Sequence, residues 1–185
     1  MMNINNVSAC LVTRGDVNMK PILDSLPFED IIVYDNSKLN DVKVAGRYFA
    51  TVGAKNDIIY TQDDDCLVND IEALLEQYEE GKILANMYFE HGGDYSDNVL
   101  VGWGSLFDKQ LAQDAFQRYF DAGYSIEDDV FYRCADVIFT SLTPFKRISV
   151  GHTSFDYAYF SDRMYNQPYH DKERDEVRER CRKLK

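Results

Sequence analysis

The chain has no run of apolar residues long enough to span a bilayer, and its polar start, Met1 to Asn6, has no signal-peptide apolar segment. A soluble, cytoplasmic protein is the resulting expectation. Its four cysteines, Cys10, Cys66, Cys134 and Cys181, are scattered with no C-x-x-C pair, which argues against a disulfide frame or a zinc site and for reduced thiols. There is no internal repeat, low-complexity stretch or linker, so residues 1–185 read as a single domain. Basic residues are in the minority, 20 against 32 acidic, for a net charge of −12. That balance disfavours patch-driven binding to DNA or an anionic membrane. The exception is the end of the chain, where Arg178, Arg180, Arg182, Lys183 and Lys185 face only Glu179, and residues 171–185 read as a basic, frayed helix or tail.

Aromatic residues, in contrast, are plentiful. Thirteen Tyr and eleven Phe exceed what a core of this size needs, so some are expected to line a cleft.

Apolar runs and helical periodicities alternate along the chain. Val7 to Thr13, Ile31 to Tyr34 and Asp57 to Thr61 read as buried strands. Ile83 to Phe89, Val99 to Val101 and Lys146 to Val150 read as further strands. Met19 to Leu26, Val44 to Val52, a helix capped by Asn69 or Asp70 and stopped by Gly81, and Asp108 to Ala122 read as helices. Ser125 opens another, with Asp128 three residues on in the manner of a capping box. The alternation predicts an α/β domain with a mostly parallel central sheet flanked by helices. Ligands of such sheets gather at the carboxyl ends of strands, where Arg14, Asp35 and the triplet Asp63-Asp64-Asp65 all fall.

Three successive aspartates repel one another, and a divalent cation removes that cost. Hard oxygen ligands suit Mg²⁺ or Mn²⁺ shared with substrate phosphates. A solvated turn is the alternative, but Ile58-Ile59-Tyr60 before the triplet and Cys66-Leu67-Val68 after it bracket it with apolar chain. An EF-hand loop is excluded, since Leu67 and Val68 stand at its fifth and sixth positions. A phosphoaspartate hydrolase would carry its acidic pair on the first strand.

Gln62-Asp63-Asp64-Asp65-Cys66 resembles the D-x-D motif of GT-A-fold glycosyltransferases, exostosin-like or family-2-like. Thr13-Arg14 and Asp35-Asn36-Ser37 resemble their nucleotide-contacting loops, and Gly46-Arg47-Tyr48-Phe49 is similar to a segment whose Arg reaches the nucleotide. Gly102-Trp103-Gly104-Ser105-Leu106-Phe107 and Ile126-Glu127-Asp128-Asp129 resemble the small-residue loop and the acidic motif of these enzymes. The resemblance implies a metal-dependent, Rossmann-related transferase that moves one sugar from a nucleoside-diphosphate sugar, a UDP-sugar by preference, to a hydroxyl. The acceptor would be a saccharide or, as a minor possibility, a hydroxymethylated DNA base. It implies Thr13, Arg14, Asp35, Arg47, Asp63, Asp64, Trp103 and Gly104 at the donor, Asp65 and Asp63 on Mn²⁺ or Mg²⁺ with His152 as a further ligand, and Asp128 or Glu127 near the acceptor hydroxyl. Helix capping is the competing role for the last two. A Q-x-x-R-W motif is missing, which disfavours processive transfer. Tyr157, Tyr159, Tyr165 and Tyr169 are candidates for an acceptor lining or for a tail folded over the sheet. Nucleotidyl transfer is the second enzyme class, disfavoured by a first loop with one glycine, Gly15. A non-catalytic nucleotide-sugar-binding module is the third reading.

Overall fold

A computed structural model of the chain describes residues 2–87, 97–155 and 164–185. The elements in chain order are β1 (Val7–Thr13), α1 (Lys20–Ser25), β2 (Asp30–Asp35), α2 (Gly46–Ala50), β3 (Ile58–Thr61), β4 (Cys66–Val68), α3 (Ile71–Glu76) and β5 (Ile83–Asn86). They continue with β6 (Ser105–Asp108), α4 (Lys109–Asp121), α5 (Asp129–Leu142), β7 (Phe145–Ile148), β8 (His152–Ser154) and α6 (His170–Arg182).

Side chains alternate across the main sheet with the period of two that a strand dictates. Cys10, Ile59, Ile83, Ala85 and Phe107 enter one core with Phe131, Ile138 and Phe139 of α5 and Val177 of α6. Val7, Ala9, Leu11, Tyr60, Leu84 and Leu106 enter a second core with Ile22 of α1 and Leu74 of α3. Both faces are therefore covered, which is why β1 is buried at every position and reads as an unbroken apolar run. Each fully buried Leu, Ile or Phe contributes about 1.5–3 kcal/mol.

The six-stranded sheet runs β2-β1-β3-β6-β5-β7. β1 pairs in parallel with β2 and β3, and β5 with β7, while β6 is antiparallel to both its neighbours. The chain is thus a single α/β domain with a mostly parallel central sheet flanked by helices, of Rossmann-like layout. β4 and β8 form a separate antiparallel ribbon that registers Val68 against His152.

Several local expectations change. Val99 to Val101 forms no strand, and Ser105–Asp108, read as part of a loop, is the antiparallel β6. Four residues beside two glycines carry too little periodicity to mark it. α3 ends at Glu76, well before Gly81. α5 is capped by Asp128, whose carboxylate accepts from the Val130 N–H at 2.9 Å, rather than opened by Ser125. The basic terminus is not frayed: α6 packs on α5 with Val177 and Cys181 fully buried. Among the tyrosines proposed for an acceptor, Tyr157 and Tyr159 lie outside the described residues, as does the far end of the Ile83 to Phe89 run.

Candidate functional site

β3 delivers the acidic triplet to the carboxyl edge of the sheet, and several bonds hold it there. The Asp63 N–H donates to the Gly102 carbonyl at 2.7 Å, and the Phe155 N–H donates to the Asp65 carbonyl at 2.7 Å. Buried Gln62 accepts from the Tyr60 hydroxyl at 2.6 Å and donates to the Cys66 carbonyl at 2.6 Å, which sets the turn between β3 and β4. Gly102 is required by packing, because a Cβ there would stand 1.9 Å from Asp63 Oδ2. Asp64 is 8% exposed, while Asp63 and Asp65 are half-buried at the rim.

Arg47 comes up from α2 beneath the triplet. It is 2% exposed, and its Nη2 donates to Asp63 Oδ1 at 2.5 Å while its Nε lies 3.5 Å from Asp136 Oδ1 on α5. The Tyr48 hydroxyl donates to the same Asp136 oxygen at 2.8 Å. Burial by itself would lower the Arg47 pKa, but the charges of Asp136 and Asp63 more than offset it, and the guanidinium is held charged. Burial raises the Asp136 pKa, with Arg47 opposing. Asp136 was invisible in the sequence. Its only signal is a carboxylate among the apolar residues of α5, with Ala135 and Val137 on either side.

The loops after β1 and β2 complete the edge. Thr13 Oγ1 accepts from the Gly15 N–H at 3.1 Å, and Arg14 pairs with Asp16 at 2.8 Å. Gly15 has φ +81°, and a Cβ on it would strike Ser37 Oγ at 2.2 Å, so the two loops touch only because it is glycine. Asn36 reaches forward, accepting from the Val42 N–H at 3.0 Å and donating to the Lys43 carbonyl at 3.2 Å. That clasp holds Lys43 at φ +52°, a left-handed conformation that is costly for a lysine and typical of residues kept by function. Asp35 turns back on its own loop. Lys38 and Ser37 hydrogen-bond to its carboxylate and hold its pKa down at about 2.

These elements enclose a cleft of about 890 Å³. Thr13, Arg14, Arg47, Asp63, Asp64, Asp65 and Trp103 of the expected site all line it. Asp136 and Arg174 line its helical wall. Asn86, also missed in the sequence, ties the Trp103 loop to the strand ends. Its Nδ2 donates to the carbonyls of Trp103 at 2.8 Å and Gly151 at 3.0 Å, and its Oδ1 accepts from the Val150 N–H at 3.0 Å.

Other expected residues lie elsewhere. Asp35 and Gly104 do not line the cleft, and Gly104, at φ +101°, packs against Val68 and Tyr60. His152 lies on β8 and stacks on Trp103, with ring centroids 4.3 Å apart. Glu127 is exposed and Asp128 caps α5, both outside the cleft lining. On the basic terminus, Arg178 pairs with Asp175 at 2.8 Å, Arg180 donates to the Tyr119 hydroxyl at 3.2 Å, and Arg182 pairs with Asp97 at 3.0 Å. Those partners are intramolecular. All four cysteines are buried thiols. No helix among the described residues is long and apolar enough to cross a membrane.

Among the described residues, no group of three or more His, Cys, Asp or Glu side chains gathers closely enough to hold a metal ion. A cation here would have to be held by one or two carboxylates of the triplet and completed by other oxygens, as Mg²⁺ or Mn²⁺ can be, rather than by a closed protein cage.

No family model and no curated protein matches the chain. Among solved structures it is similar to the crystal structure of 4-diphosphocytidyl-2C-methyl-D-erythritol synthase from Anaerococcus prevotii DSM 20548, at 10% identity and a TM-score of 0.45, over 97% of this chain and 100% of that one. The expectation of a glycosyltransferase using a UDP-sugar is corrected on the geometry of the cleft, since Glu127 and Asp128, expected near the acceptor hydroxyl, both lie outside its lining.

Proposed function

We propose that the cleft binds a nucleoside polyphosphate together with Mg²⁺ or Mn²⁺, and that the chain is a nucleotide-dependent transferase of the nucleotidyl-transfer type. The observation that carries this reading is the convergence of Asp63, Asp64 and Asp65 with buried Arg47 and the Arg14 loop in one cleft at the carboxyl edge of the sheet. Carboxylates alone would repel phosphate. Paired with a cation, and with Arg14 and Arg47 beside them, they bind it.

Asp65, with Asp63, would hold the cation jointly with the phosphates, and the cation when bound would neutralise charge on the leaving group. Arg47 holds the Asp63 carboxylate in place. The Arg14 loop, shaped by Gly15 against Ser37, covers the phosphates from the β1 and β2 side, and Trp103, braced by His152, offers a flat face to a base. In the transfer, an acceptor oxygen attacks the α-phosphorus, the bond from that phosphorus to the bridging oxygen breaks, and pyrophosphate leaves. The acceptor proton passes to solvent.

Thermal shifts with UTP, CTP, GTP, ATP and their diphosphates, with and without Mn²⁺, test the reading. At 100 times Kd a ligand stabilises by about 2.7 kcal/mol, or roughly 5–11 °C for a domain of this size. A Mn²⁺-dependent shift with one base, and pyrophosphate release on adding acceptor extracts, are the expected results. A shift without any pyrophosphate release would make the chain a binding module. No shift with any nucleotide would end the proposal.

A further inference from the structure

Arg47 lines the cleft yet is 2% exposed, and a guanidinium that deep is costly unless charges and hydrogen bonds surround it. Asp63 at Nη2 and Asp136 at Nε supply the charge. Asp63 is 40% exposed on its side chain, so little but Arg47 and the close packing of Gly102 restrains its carboxylate. Asp136 is 22% exposed and is itself fixed, because its Oδ1 also accepts from the Tyr48 hydroxyl. Tyr48 is in turn buried against Phe107, Phe116 and Phe139. Rigidity therefore passes from the aromatic core through Tyr48 and Asp136 to Arg47, and from Arg47 to Asp63. Arg47 Nη1 and Nε are both buried with no hydrogen-bond partner among the described residues, so Asp136 holds the Nε end by charge across 3.5 Å rather than by a hydrogen bond.

We propose that Asp136 is a positioning residue of this site: through Arg47 it fixes the Asp63 carboxylate in the orientation that receives the cation and the nucleotide phosphates. The proposal rests on reading the cleft as a nucleotide site. Asp136 acts without touching the phosphates. With Asp136 removed, Arg47 keeps one partner, turns about its Nε end, and releases Asp63 toward solvent.

Mn²⁺ is titrated into wild type, Asp136→Asn and Tyr48→Phe with UTP, CTP, GTP and ATP all present in excess, and the Mn²⁺ concentration at half-maximal thermal shift is read. Asp136→Asn is expected to raise that concentration about tenfold, and Tyr48→Phe by a factor of about three, in line with an indirect contact worth 1.4 kcal/mol or less. A merely structural role would lower the ligand-free Tm and leave the half-saturating Mn²⁺ unchanged. Both variants folding and half-saturating at the wild-type concentration would overturn the proposal. If Asp136→Asn does not fold, Tyr48→Phe decides, because it removes one hydroxyl, and an unchanged midpoint there overturns the proposal equally. A wild type with no Mn²⁺-dependent shift would overturn the nucleotide reading and this inference with it, which the wild-type titration alone reveals.

Discussion

Gly102→Ala isolates the role of the triplet from the stability of the fold. The added Cβ would stand 1.9 Å from Asp63 Oδ2 and 2.4 Å from its Cγ, against an ordinary contact of at least 3.4 Å. The carboxylate must therefore withdraw by about 1.5 Å, more than catalytic and binding groups tolerate. The backbone at Gly102 does not have the positive φ found at Gly104, so alanine adds no backbone strain, and only the contact with Asp63 changes. Asp63 is 40% exposed and has room to swing outward, and Arg47 keeps the charge of Asp136, so the cost to stability is expected at about 1 kcal/mol, or roughly 2–4 °C in Tm. Loss of the Arg47 pair and of a placed carboxylate should weaken Mn²⁺–nucleotide binding at least tenfold, about 1.4 kcal/mol. Gly104→Ala provides the contrast. Its Cβ meets buried Val68 at 2.7 Å with φ at +101°, so it should destabilise by about 1–3 kcal/mol, the range for overpacking, while folded protein still binds. Differential scanning fluorimetry and calorimetric titration on both variants give the answer. If Gly102→Ala binds as wild type does, or loses as much stability as Gly104→Ala, the reasoning is refuted.

Three further outcomes are expected. Asp128→Ala should cost about 1 kcal/mol through loss of the α5 cap and leave nucleotide binding unchanged, and a binding defect at unchanged Tm would return Asp128 to the site. Burial, as the largest cause, holds Cys10, Cys134 and Cys181 at a pKa of about 12 and Cys66 higher still. Native protein at pH 8 should therefore react with no thiol reagent at these sites, and all four should react in denaturant. Asp35, held at about 2 by Lys38 and Ser37 against an ordinary 3.8, contributes stability that is present above 3.8 and lost as pH falls through 2. Lys38→Met should move its NMR-detected midpoint up toward 3.8, and an unmoved midpoint would mean that Ser37 alone sets it.

The sequence by itself determined the elements whose signals are local. β1 was legible to the residue because both faces are buried and seven apolar or small side chains run without a break. The carboxyl-edge position of Arg14, Asp35 and the triplet followed from strand ends alone, and of the two caps read for α3, Asn69 or Asp70, it is Asp70 that stands there. Tertiary structure decided what depends on distant chain. The direction of β6 is set by its two neighbours, and four residues hold no trace of it. The basic residues of α6 read as a solvated tail because charge dominates locally, yet Val177 and Cys181, one turn apart, suffice to dock the helix once α5 offers a matching face. Asp136 and Asn86 enter the account for the same reason: a polar side chain at a buried position has meaning only through its partners, and those partners lie 88 residues away at Tyr48 and 65 at Gly151. The triplet itself was in plain view. That Arg47 braces Asp63 from below, 16 residues upstream, is a property of the folded chain, because only packing α2 against the sheet brings a buried cation under that strand end.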